Sequence, residues 1–528
     1  MVEVNDHTAL LAFHDADDRG EQEIGSRRSS SPDIGDSNRR RWPLFDRKVT
    51  ASSLRERCVT VSAVISLMLI CAGFIYAFIS RSSGRGLVCS TVQNGYQCHQ
   101  EYSQLWGQYT PFFSLHTISD LSPQIPIGCT VTFVQVLSRH GARHPTENKS
   151  AVYSELIKRI QDRTESYLGD FALLETFNYQ LQSEDLTPFG VSQMIDSGTK
   201  FYRRYQHLTK ESNAFIRASG SPRVIVSAEK FIDGFYQEKL SDPSATDKTR
   251  KPSVAVVISE EPGSNNTLDH SNCNVFERTK PGLVAQAEFA KVFAPPILNR
   301  VNSHLIGANL DITDIPYLMD LCSFHTVALT PDASTISPFC TLFTDEEWTQ
   351  YDYYNTLGKY YGHSTGNPLG ASQGVGFVNE LISRLTNTPV IDSTTVNHTL
   401  DSDPQTFPLG LSLYADFSHD NTMISILTAL GVFNGTEPLS NTTIQSPVET
   451  KGFSAAWTVP FGGRAYIEKM ECDSTPVARE PLVRVLINDR VVPLHGCKAD
   501  TLGRCRLEDF VEGLSYARGG GDWGRCSI

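Results

Sequence analysis

The sequence predicts an α/β fold with a parallel-rich sheet, and three strand-to-helix junctions carry that prediction. Thr130-Val131-Thr132-Phe133-Val134-Gln135-Val136-Leu137 is a β-branched, apolar run of strand length that stops at Ser138. Beyond Pro145, Val152, Leu156, Ile157 and Ile160 recur close to helical period. Leu411 to Phe417 reads as a second strand, ended by Ser418-His419-Asp420-Asn421 and followed by a helix from Met423 to Leu430 that Gly431 closes. Phe215 to Ile225 passes through a small-residue turn that sets Arg223 near a helix start. Ligands in open α/β sheets gather beyond the carboxyl ends of strands, so these three ends, each bearing Arg or His, are expected to converge.

The segments before the sheet predict one transmembrane helix. Residues 1–57, rich in Ser, Asp and Arg, read as a disordered cytosolic tail. From Cys58 to Ile79 no charge occurs for 22 residues, enough for a helix to cross a bilayer core of about 30 Å. Arg39, Arg40, Arg41, Arg47, Lys48, Arg55 and Arg57 precede this run and only Arg81 and Arg85 closely follow it. The positive-inside bias then gives a single-pass type II membrane protein, held by a signal anchor, with its main body luminal or extracellular. Secretion after cleavage is the competing reading; the long charged leader and the lack of a clear Ala-x-Ala site disfavour it. Residues 80–128 form a Gly-, Ser- and Pro-rich arm, whose Trp106, Tyr109, Phe112 and Phe113 are expected to pack on the body formed by 129–528.

Composition narrows the partners. With Lys+Arg 46 against Asp+Glu 59, the net charge of -13 disfavours nucleic acid, and a small anionic substrate would need a local arginine cluster. Ten of the 12 cysteines run from Cys89 to Cys526, an even number that points to disulfides formed in an oxidising compartment. Spacing leaves their pairing open, and the gaps Cys89 to Cys98 and Cys497 to Cys505 are not those of a zinc knuckle. Five glycosylation sequons begin at Asn148, Asn265, Asn397, Asn434 and Asn441, all after the apolar run. A monomer is expected, although no feature of the sequence sets the oligomeric state.

The chemistry lies in Arg139-His140-Gly141-Ala142-Arg143-His144-Pro145 and in Ser418-His419-Asp420. Transfer from a phosphate monoester needs an in-line nucleophile, positive donors around the equatorial oxygens and a proton for the leaving alcohol. A neutral His140 can attack phosphorus directly, Arg139 and Arg143 supply planar donor forks, and Asp420 can protonate the departing oxygen. An isolated Arg-His pair is usually surface decoration and an isolated His-Asp pair a helix cap; the two motifs at two strand ends argue otherwise. There is no His-Glu-x-x-His pair, and the glycines at Gly374, Gly376 and Gly519 to Gly521 are better explained as loops.

Together with Leu105-Trp106-Gly107-Gln108-Tyr109, Leu186-Thr187-Pro188-Phe189-Gly190, Tyr360-Tyr361-Gly362-His363, Gly366-Asn367-Pro368-Leu369-Gly370 and Gly520-Gly521-Asp522-Trp523, these motifs make the chain resemble the histidine acid phosphatases. The likeness is to their fungal phytase branch and runs from about Cys89 to the carboxyl terminus. The resemblance implies a phosphoglycerate-mutase-like sheet domain with a smaller, mostly helical domain drawn from about 146–215 and 270–400. It also implies a 3-phytase that uses a phosphohistidine intermediate, with phytate (myo-inositol hexakisphosphate) as substrate and no metal or cofactor. A broad-specificity acid phosphatase is the first alternative, and an inactive surface protein that binds phosphorylated ligands is the second. On the same resemblance His140 is the nucleophile and Asp420 the proton donor. Arg139, Arg143, Arg223 and His419 hold the reacting phosphate, and Lys149 and Lys359 meet outer phosphates. The implied disulfides are Cys89 to Cys98, Cys129 to Cys472, Cys273 to Cys526, Cys322 to Cys340 and Cys497 to Cys505. The chain departs from the pattern at His144, where close phytases carry Tyr, at Val152 and Gly358, where some carry Lys, and in its apolar amino-terminal run.

Overall fold

The computed structural model describes residues 88–473 and 480–527. An eight-stranded sheet organises them. Its strands are β1 (Cys129–Arg139), β2 (Phe215–Ser219), β3 (Val256–Ile258), β4 (Leu413–Ser418), β5 (Arg464–Cys472), β6 (Leu482–Ile487), β7 (Arg490–Val491) and β8 (Arg504–Arg506). The order across the sheet is β7-β6-β5-β1-β4-β2-β3, with β8 also paired to β6. β1, β4, β2 and β3 run parallel to one another, whereas β5, β6, β7 and β8 add antiparallel.

The parallel-rich expectation is therefore corrected to a mixed sheet. Parallel neighbours need long crossovers, which helices supply between β1 and β4; the carboxyl-terminal strands return through short connections instead. At the β6–β7 hairpin, Asn488 and Asp489 both take positive φ, 47° and 69°, the backbone that a two-residue turn between twisted strands requires.

The expectation of a transmembrane helix, and with it of a membrane-anchored, single-pass placement, is corrected for the described residues. Among the described residues no helix is long and apolar enough to cross a membrane. The longest, Pro281–His304, carries Glu288, Lys291 and Arg300 as well as Pro295 and Pro296. Asp314–Leu329 is strongly apolar, but at 16 residues it reaches only about 24 Å and is buried within the protein. The tail at 1–57, the apolar run at 58–79, Cys58 and Cys71 lie outside the described residues.

Strand alternation explains how the sheet is covered. Val134 and Val136 of β1 face one side, where they meet Met194 and Phe201 of α2 (Pro188–Arg204) and Val224, Ala228 and Phe231 of α3 (Pro222–Ser241). Phe133 and Leu137 face the other side, under a larger helical core. That core draws on α1 (Glu147–Arg163), α4 (Pro281–His304), α5 (Asp314–Leu329), α6 (Asp345–His363), α7 (Val375–Thr386) and α8 (Asp420–Ala429). Apolar positions at helical spacing, such as Tyr153, Leu156, Ile157 and Ile160 in α1, form the inward stripe of each helix. The arm packs on this body, with Trp106, Tyr109, Phe112 and Phe113 all buried.

The structure joins Cys89 to Cys98, Cys129 to Cys472, Cys273 to Cys526, Cys322 to Cys340 and Cys497 to Cys505. Asn148, Asn265, Asn434 and Asn441 are exposed; Asn397 is partly so, and its side chain accepts from Leu400 N–H.

Candidate active site

The site forms where β1 and β4 end side by side, with Arg139 in register with Ser418. The strand end is closed by backbone bonds on both flanks. His140 N–H donates to Ser418 O at 3.3 Å, Arg139 N–H to Gly463 O at 2.8 Å, and Gly462 N–H to His140 O at 2.8 Å. Gly141 and Ala142 then cross the start of α2. Gly141 N–H donates to Ser227 Oγ (3.1 Å), Ala142 N–H to Gln193 Oε1 (2.9 Å) and Thr187 N–H to Ala142 O (3.0 Å). A Cβ on Gly190 would stand 1.9 Å from Ala142 O, so glycine is required for this close approach. Thr187 caps α2 by accepting from Gly190 N–H, and Pro188 follows at the first helical position.

His140 is 1% exposed. Its Nδ1 lies 2.9 Å from Gly141 O. A carbonyl only accepts, so Nδ1 carries the proton and Nε2 keeps its lone pair. Burial, and then the charges of Arg139, Arg143, Arg223 and His419, hold the imidazole pKa well below its ordinary value. The ring is therefore held in its neutral, nucleophilic form.

The cations surround this ring. Arg139 is fully buried; its Nη1 donates to Gln108 O and to Val459 O (2.7 Å), its Nη2 lies 3.2 Å from Asp420 Oδ2, and its guanidinium stacks 4.5 Å from the Phe461 ring centroid. Arg143 Nη1 donates to His144 O at 2.8 Å. Arg223 enters from the first turn of α3 and pairs with Glu184 at 2.5 Å. Nε of Arg139, Arg143 and Arg223 has no hydrogen-bond partner among the described residues. Buried donors left unpaired are costly, and an anion is the ligand that relieves that cost.

Asp420 opens α8, with His419 as the residue before it. Burial favours its neutral form, but Arg139 and Lys359 outweigh burial and hold the carboxyl well below the usual range. Lys359 Nζ donates to Asp420 Oδ2 (2.8 Å) and to Asn421 Oδ1 (2.6 Å). Lys149 sits farther out, 38% exposed, with Nζ 3.0 Å from Asp320 Oδ2 and 4.8 Å from the Tyr317 ring centroid. Asp320 also accepts from Tyr153 and Tyr351. The structure thus gathers Arg139, His140, Arg143, Arg223, His419, Asp420 and Lys359 at one place, with Lys359 bound to the carboxyl of Asp420. His144 is buried, and its Nδ1 has no partner among the described residues.

Several residues here carry no local sequence signal. Gln193 and Ser227 hold the motif backbone, Phe461 floors Arg139, and Glu184 and Asp320 hold cations. Glu260, just past β3, accepts from His419 Nε2 at 2.8 Å. Each comes from a distant segment, and only the sheet order brings it in.

A family model described as histidine phosphatase superfamily (branch 2) matches residues 130–488. Phytase A of Aspergillus awamori is 55% identical over 467 residues, which cover 88% of this chain and 99% of that protein. Phytase A of Aspergillus oryzae is 56% identical over 445 residues, 84% of this chain and 95% of that protein. Among solved structures, the phytase from D. castellii superposes with a TM-score of 0.64 at 23% identity, over 80% of this chain and 87% of that one. The Bifidobacterium longum multiple inositol polyphosphate phosphatase, in complex with inositol hexasulfate, gives 0.54 at 14% identity, over 77% and 96%. The last two establish a likeness of fold.

Proposed function

This chain belongs to the histidine phosphatase superfamily, branch 2, and from that premise we propose that it hydrolyses phosphomonoesters, phytate among them, through a phosphohistidine on His140. The observation that carries the reading is His140 itself: Nδ1 is committed to Gly141 O, and Nε2 is left unprotonated among Arg139, Arg143, Arg223 and His419.

In the first step Nε2 attacks phosphorus as the ester P–O bond breaks. The arginines and His419 hold the three equatorial oxygens, and Asp420 gives its proton to the departing alkoxide. Asp420 is ionised in the free site. A bound phosphoryl dianion competes for Arg139 and adds negative charge beside the carboxyl, and both effects raise its affinity for a proton. In the second step the resulting carboxylate takes a proton from water, which attacks phosphorus and frees His140 and inorganic phosphate.

The phytase activity rests on the Phytase A relatives, which align over most of the chain. A broad acid phosphatase is the second reading, favoured by the outer cations. Lys359 and Lys149 are both held by carboxylates and so are less free to meet further phosphates. Phosphate release from phytate, compared with release from aryl and sugar phosphates, tests the choice. Good turnover of phytate is expected; negligible phytate turnover beside strong aryl phosphatase activity would transfer the reading to the broad enzyme.

A further inference from the structure

Glu260 lies two residues after β3, the strand at the edge of the parallel half of the sheet. Three donors converge on its Oε1. They are His419 Nε2 at 2.8 Å, Ser221 N–H at 3.1 Å, and the Ser219 hydroxyl. Ser219 is the last residue of β2 and Ser221 the residue before α3, whose own side chain makes no cap bond. Arg223 stands in the first turn of that helix. One carboxylate oxygen therefore joins the turn that presents Arg223 to the ring that precedes Asp420.

We infer that Glu260 is a positioning residue for phosphate capture, orienting His419 through Nε2 and setting Arg223 through the Ser219–Ser221 turn. The inference rests on the phosphatase reading of the site and adds to it a residue that need not touch substrate. A carboxylate facing Nε2 requires a proton on that nitrogen, so Nδ1 is the ring atom left for a phosphoryl oxygen. Nδ1 donates there when it carries a proton too. The groups around the ring are Glu260 on one side and, on the other, His140, which also feels Arg139, Arg143 and Arg223, with Asp420 next in the chain. Glu260 is the carboxylate that touches the ring. Its own pKa is pulled down to about 2; burial opposes this, and the bonds from His419, Ser219 and Ser221 outweigh it.

The test uses the full chain with Glu260→Gln, which keeps shape and an acceptor oxygen but removes the charge. Inorganic phosphate binding is measured by calorimetry, and kcat/KM for an aryl phosphate is measured alongside it. Outer partners of metal-bound histidines are worth about 10–100-fold, which sets the scale expected for this one. Phosphate affinity and kcat/KM are expected to fall within that range. In a His419→Ala background the same change is expected to cost much less, a dependence that a merely structural role would not show. Wild-type phosphate affinity in Glu260→Gln overturns the inference, as does an equal effect with and without His419. If Glu260→Gln does not fold, Glu260→Asp is read in its place: weakened phosphate binding is expected, and unchanged binding overturns the idea. A wild-type protein that neither binds phosphate nor cleaves any phosphomonoester would instead defeat the phosphatase reading itself.

Discussion

The carbonyl oxygen of Gly141 lies 2.9 Å from Nδ1 of His140, and that contact decides which ring nitrogen is available to attack. The nucleophile is set by a peptide group of its own motif, so the tautomer does not depend on a second side chain. His140→Ala should therefore eliminate the phosphoenzyme and lower kcat by at least about 10³-fold. Acid-quench trapping of labelled enzyme checks this; a labelled intermediate in the variant would move the nucleophile elsewhere.

Asp420→Asn separates acid catalysis from nucleophilic attack. For alkyl phosphates, whose alkoxides leave poorly, kcat should fall by about 10²–10⁴-fold, and for p-nitrophenyl phosphate the loss should be much smaller. Rates across a series of leaving groups decide the matter. Equal losses along the series would remove Asp420 from the role of acid.

Lys359→Met addresses how that acid is tuned. Lys359 and Arg139 both favour the ionised carboxyl, so removing one cation raises the Asp420 pKa and leaves a larger protonated fraction at mildly acidic pH. The limb of the kcat profile that reports the acid should move to higher pH for poor leaving groups. An unmoved limb would mean that the 2.8 Å contact does not govern protonation in the bound state.

Legibility followed distance along the chain. The strand read at Thr130–Leu137 appears as Cys129–Arg139, and the helix read from Met423 appears from Asp420, because both are continuous apolar patterns. The antiparallel half was not legible. β5 runs Arg464-Ala-Tyr-Ile-Glu-Lys-Met-Glu-Cys472, and its buried Arg464 and Glu468 break the apolar signature that marks a covered strand. Glu468 is buried with Arg204, Tyr205 and Arg484 meeting its carboxylate from other segments. The same applies at the site, where the motifs announced His140 and Asp420, while Glu260, Gln193 and Phe461 depend on contacts across many residues.

Asp352 is buried beneath the arm, where it accepts from Gly107 N–H at 3.2 Å, and burial pushes its carboxyl up to about 7. A folded state that holds the proton more tightly than the unfolded chain is most stable below about pH 4 and loses that advantage as pH rises towards 7. Asp352→Asn keeps the acceptor and removes the titration. Its stability relative to wild type should improve by roughly 3 kcal/mol between pH 4 and pH 7. Denaturant unfolding at the two pH values measures this, and parallel pH dependence of the two proteins would refute it.

The pairing of β1 also sets a timetable. Val134 pairs with Leu413, and Cys129 with Cys472, so the strand that ends in Arg139 has neither neighbour until the chain has grown well beyond it. At about 5–20 residues per second, the gap between synthesis of β1 and of β5 lasts on the order of 20–60 s. Throughout that interval the edge of β1 that β5 will pair is open on the nascent chain, suited to chaperone capture and to aggregation. The nucleophile is thus made early and becomes competent late, and a ribosome that stops before β5 releases a chain with no partner for that side of its catalytic strand.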